Sequence, residues 1–101
     1  MYKLVVSEKA QRQFEQITYY MLTVLLSSQA AENFADRLEE KYKTIAKNPH
    51  LYQQEFFGKH VYRKATVNRY IIAFRVDEQT HTVHIVAIGH SLQKRKNIVK
   101  H

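Results

Sequence analysis

Tyr62-Arg-Lys-Ala-Thr-Val-Asn-Arg-Tyr-Ile-Ile-Ala-Phe-Arg-Val-Asp77, then Glu78-Gln-Thr-His-Thr82, then Val83-His-Ile-Val-Ala-Ile-Gly89, is the stretch that decides the fold. Two runs rich in β-branched and aromatic residues flank a short polar break, the pattern of a β-hairpin. The first run alternates. Tyr70, Ile72, Phe74 and Val76 fall on one face by the period of two, and Arg69, Ile71, Ala73, Arg75 and Asp77 fall on the other. The first face is an apolar slab that must be covered. The second carries two arginines on a rigid strand and is expected to be the working surface.

The cover lies upstream. Tyr2 to Val6 alternates as a short strand, and Ser7 offers a hydroxyl to cap a helix with Glu8 in its first turn. Ala10, Phe14, Ile17, Met21 and Leu25 recur at helical spacing to about Leu26, with Tyr19, Tyr20, Leu22 and Val24 widening the apolar surface. Such a helix is expected to touch more than one neighbour. Ser27-Ser28 breaks the pattern and can cap a second helix, carried by Ala31, Phe34, Ala35, Leu38, Tyr42 and Ile45 and stopped at Lys47-Asn48-Pro49. A two-residue break folds the pair back as a hairpin. His50 to His60 reads as a loop over a core edge. Three strands follow: Tyr62 to Val67, the strand from Arg69, and Thr82 to Ile88, with Asp77 through Thr82 as a turn. The expected architecture is α+β in two layers, order β-α-α-β-β-β, a helical hairpin on an antiparallel sheet to which the first strand adds.

The chain has 101 residues, which sets an expectation of one domain over 1–101. No apolar run is long enough for a membrane span, and the N-terminus lacks a secretory core. The absence of cysteine excludes disulfides, thiolate metal sites and a cysteine nucleophile, and suits a reducing cytoplasm. Sixteen Lys and Arg stand against nine Asp and Glu, a formal charge of +7 that points to an anionic partner, either nucleic acid or an acidic protein. The six histidines are scattered without a compact ligand pattern, so no metal or other cofactor is expected.

Taken in order, several segments resemble the RelE/ParE family of bacterial toxins. These are the opening strand into Ser7-Glu8-Lys9-Ala10, the helix end Ile17-Thr-Tyr-Tyr20, and Ala30-Ala31 with Phe34 and Leu38. Asn48-Pro49, the pair Arg63-Lys64 with Asn68-Arg69-Tyr70-Ile-Ile-Ala-Phe-Arg-Val76, and Val83-His-Ile-Val-Ala-Ile-Gly-His90 complete the set. The resemblance covers nearly the whole chain. It implies a toxin of a type II toxin–antitoxin pair, neutralised by a cognate antitoxin. That antitoxin is expected to be acidic and partly disordered, folding on binding across the hydrophobic and basic surface. Operator DNA would be reached only through it. Two activities occur in the family: ParE-like members inhibit DNA gyrase, and RelE-like members cut messenger RNA on the ribosome without metal.

Metal-free cleavage needs a base for the ribose hydroxyl, an acid for the leaving oxygen, and cations for the phosphate. Arg69 matches the arginine that RelE-like enzymes carry at the start of the central strand. His90 matches a histidine found after the last strand in some of them, and imidazole titrates near neutrality. The next position is Ser91, where active nucleases of this kind carry arginine or tyrosine. The incomplete set and the long helical hairpin favour the ParE side. Arg63, Lys64, Arg75, His84, Lys94 and Arg95 are then expected to serve nucleic-acid or partner binding, and Arg69 and His90 to be catalytic only if the chain is a nuclease.

Overall fold

The computed structural model describes residues 1–90, the side chain of Phe57 excepted. The elements run β1 (Lys3–Val6), α1 (Glu8–Thr23), α2 (Ser28–Lys47), a 3-10 turn (Pro49–Leu51), β2 (Gln53–Phe57), β3 (His60–Val67), β4 (Tyr70–Asp77) and β5 (Thr82–His90). Both serines cap as their positions suggest. Ser7 Oγ accepts from the Ala10 N–H at 3.0 Å, and Ser27 Oγ accepts from the Ala30 N–H at 3.0 Å.

The five strands form one sheet in the order β1-β5-β4-β3-β2. β2 to β5 make an antiparallel meander, and β1 joins the far edge parallel to β5, pairing Lys3 with Thr82 and Val6 with Ile85. The sheet is therefore mixed. The helices pack on one side of it. Ala10 and Met21 of α1 and Ala31, Phe34, Leu38 and Ile45 of α2 meet Ala65, Val67, Ile72, Phe74, Val83, Ile85 and Ile88. The two-layer α+β arrangement read from the alternation of β4 is present.

Two details depart from that reading. Gln53–Phe57 is an edge strand rather than part of a loop, so the meander has four strands. Gln53, Gln54 and Glu55 are poor strand formers, and the strand is held from one side only, through its ladder to β3. Gly58, at φ 62, permits the two-residue reversal between Phe57 and its partner His60. The second departure is a bulge. Ala73 pairs with Ala87 but Phe74 with Ile85, which leaves Val86 as an extra residue on β5. Strict alternation breaks there, and so Val83, Ile85 and Ile88 share the core side while Ala87 faces the other.

Past Val6 the outer edge of β5 has no strand beside it, and α1 supplies the missing partners. Ser7 Oγ donates to the Val86 carbonyl at 2.9 Å, and Gln13 Oε1 accepts from the Ile88 N–H at 2.7 Å. A partly buried N–H left unpaired costs more than its bond contributes. Gln13→Leu is expected to lower stability by about 1 kcal/mol and to speed hydrogen exchange of the Ile88 amide. Unchanged protection of that amide would mean that Gln13 does not close this edge.

Candidate functional site

The face of the sheet away from the helices is not a continuous cationic surface. Its middle is a second apolar cluster of Tyr62, Ile71, Ala73 and Ala87, with Val86 packed against it. Lys64 lies on this face with its Nζ 3.0 Å from Glu55 Oε1, both side chains largely buried. Arg75 is exposed and sits opposite His84 in the ladder. The adjoining Asp77 carboxyl is held below its usual range, first by hydrogen bonding from Thr80 and further by the nearby His84. Arg63 belongs to the other parity, in register with Phe74, and its guanidinium donates to the Tyr52 carbonyl at 2.7 Å. That bond ties β3 to the residue entering β2.

Arg69 and His90 lie at the same end of the sheet. Val67 pairs with Tyr70, so Asn68 and Arg69 are the two turn residues between β3 and β4. Asn68 takes φ 54, a conformation asparagine tolerates, and its side-chain oxygen accepts from Arg37 Nη1 at 2.7 Å, which anchors the turn to α2. Arg69 is exposed. Tyr70 pairs with His90, and the two rings meet edge to face at 5.4 Å on the helix side of the sheet. Burial pushes the Tyr70 hydroxyl upward, and the neighbouring Tyr20 adds to that. His90 is half-buried on a cleft of about 600 Å³ with Gln13, Gln16, Tyr20, Leu25 and Tyr70 among its other walls. Chemically the cleft offers an imidazole and two amide side chains, and the exposed Arg69 guanidinium belongs to the turn at the same end of the sheet.

The predicted residues thus fall into two groups. Arg69 and His90 share one end, and Arg75 and His84 pair near the other, six residues or roughly 20 Å along the strands. Arg63 and Lys64 lie between, each engaged within the fold. Lys94 and Arg95 lie outside the described residues. Among the described residues, no group of three or more His, Asp or Glu is arranged to hold a metal, and no helix is long and apolar enough to cross a membrane.

Sequence reading passed over two features. One is Gln13, whose only signal is a polar residue three positions from Ala10 on the packing side of α1. The other is a polar cluster at the end of the sheet remote from His90. There Tyr2 donates its hydroxyl to Glu78 at 2.8 Å, His50 Nε2 lies 2.6 Å from the second Glu78 oxygen, and Tyr2 stacks on His81 at 3.7 Å. The Tyr2 hydrogen bond, with the charge of His50, holds the Glu78 carboxyl low. This cluster clasps the N-terminal strand, the turn after α2 and the β4–β5 turn. Nothing local in the sequence announces it, because Tyr2 and its hydrogen-bond partner Glu78 are 76 residues apart.

Comparison with known proteins places this geometry. Among solved structures, the isolated RelE toxin of E. coli is 16% identical with a TM-score of 0.63, covering 96% of this chain and 92% of its own. The intact E. coli RelBE toxin–antitoxin complex matches at 17% identity and TM-score 0.62, over 92% and 100%. The RelBE2 toxin–antitoxin complex of Mycobacterium tuberculosis matches at 16% and 0.62, over 88% and 90%. At such identities the likeness is one of fold. A search of curated proteins found no match. The family model of the ParE toxin of type II toxin–antitoxin systems, parDE, matches residues 4–95, nearly the full length, and the chain belongs to that family.

Proposed function

We propose that this toxin acts in the ParE manner, as an inhibitor of DNA gyrase in the cytoplasm, and that a cognate acidic antitoxin holds it inactive. The observation that carries the reading is the dispersal of the chemistry. Lys64 is paired with Glu55, Arg63 is bonded to the Tyr52 carbonyl, and Arg75 with His84 stands roughly 20 Å along the sheet from Arg69 with His90. Cleavage of a phosphodiester needs base, acid and cations around one phosphate. Inhibition by docking needs only a shaped surface. The antitoxin follows from the family, and two of the solved relatives were captured as toxin–antitoxin complexes.

The second reading is a ribosome-dependent RNA endonuclease that uses Arg69 and His90. Their shared end of the sheet and the cleft beside His90 favour it. Two assays separate the readings. Purified toxin added to gyrase and supercoiled DNA is expected to block supercoiling and to accumulate cleaved DNA. Arg69→Ala and His90→Ala are expected to keep toxicity within about threefold, as for surface groups outside any reacting centre. No effect on gyrase, together with codon-linked cuts in translated messages that both substitutions abolish, would transfer the function to the second reading.

A further inference from the structure

We propose that the tip of the helical hairpin is a self-association surface on which a second copy of this chain docks. Tyr19, Tyr20, Leu22, Val24, Leu25 and Leu26 are all exposed, the most open being Leu26 at 81%, Tyr19 at 69% and Val24 at 61%. Six large apolar side chains are thus left open within eight residues around the end of α1, and exposed apolar surface on that scale on a small protein marks an interaction site. The helix does touch two neighbours, α2 and β5, yet these side chains stay open.

Leu26 sharpens the point. It sits at φ 51, in the left-handed region where a side chain other than glycine costs about 1 kcal/mol. Glycine would close α1 without that cost. At 81% exposure the leucine gains little from burial in the single chain to offset that cost, which fits a side chain placed for contact with another molecule.

Charge selects the occupant. The formal charge of the chain is +7, yet residues 16–31 hold no charged side chain. An acidic partner gains nothing electrostatic from this stretch, whereas two like-charged copies meet across it without local charge repulsion. The exposed apolar area is on the order of 600 Å², close to the roughly 800 Å² per partner of a standard interface. A hairpin tip meeting its own copy about a two-fold axis gives the self-complementary contact typical of dimers.

Sedimentation velocity of the purified full-length chain, from about 1 to 100 µM, tests the proposal. The species is expected to move from 12.0 kDa to twice that mass. The transition should shift little between about 0.1 and 1 M salt, because the contact is apolar. Val24→Lys with Leu26→Lys is expected to weaken association at least tenfold through like charges at the contact. Leu26→Gly, which relieves the backbone, is expected to raise the melting temperature of the monomer while also weakening the dimer. A wild-type chain monomeric at 100 µM, or a lysine variant that dimerises as wild type does, overturns the proposal. So does a monomeric wild type whose tip variants lose only the antitoxin, which would give the surface to that partner.

Discussion

Phe34→Ala is expected to lower the free energy of unfolding by about 3–5 kcal/mol, a large share of the 5–15 kcal/mol typical of a domain this size. Phe34 is fully buried at the junction of three elements. Its ring stacks on Phe14 of α1 at 6.0 Å and tilts against Tyr70 of β4 at 4.9 Å. Truncation opens a void that the backbone of α2 cannot fill, since Leu38 and Ile45 fix the helix further along. The effect reaches the candidate site, because Tyr70 carries the ring contact to His90. Urea unfolding followed by circular dichroism measures the loss. Phe34→Leu keeps most of the volume and is expected to cost less than about 2 kcal/mol, which separates cavity from general sensitivity. A loss under 1 kcal/mol for Phe34→Ala would show that this ring is not what joins hairpin to sheet.

The fold was legible where the pattern is local. Tyr70, Ile72, Phe74 and Val76 mark the covered face of β4 by alternation, and Ser7 and Ser27 mark helix starts by a hydroxyl before an apolar period. β2 was not legible, since Gln53-Gln54-Glu55 is strand only by virtue of β3 beside it. The bulge at Val86 was hidden as well, for a run as uniform as Val83 to Ile88 gives no cue to where one residue drops out of register. At the site, neighbourhood in sequence gave Arg69 beside Tyr70, and the hairpin register brought His90 to them. The engagement of Lys64 by Glu55 and of Arg63 by the Tyr52 carbonyl depends on β2, and was lost with it. The clasp of Tyr2, His50, Glu78 and His81 depends on three chain segments that only the folded sheet brings together. The breadth of the apolar surface of α1 did signal more than one neighbour, and α1 meets both α2 and β5, but it could not show which side chains at the hairpin tip those neighbours leave open.

Alkaline titration gives the second large effect. Tyr42, on α2 among the residues packed against the core, has its hydroxyl pushed up from 10.0 to about 12 by burial, which disfavours the phenolate. In the unfolded chain the group ionises near 10.0, and in the folded chain near 12. Below pH 10 both states hold the proton, and the contribution to stability is complete. Between 10 and 12 the unfolded state has fewer protons bound, so stability falls as pH rises, and it levels off above the folded value. Two units correspond to about 2–3 kcal/mol, with the lower end apt for a ring that is only partly buried. Tyr2, Tyr52 and Tyr70 are also raised, so the wild-type curve alone would not isolate one residue. The difference between wild type and Tyr42→Phe does, because phenylalanine keeps the ring and removes the proton. Thermal melts at intervals from pH 8 to 12 are expected to start with a constant gap and then to favour Tyr42→Phe progressively above pH 10. Parallel curves throughout would place the Tyr42 hydroxyl in water, and would require α2 to pack on the sheet in a different rotation.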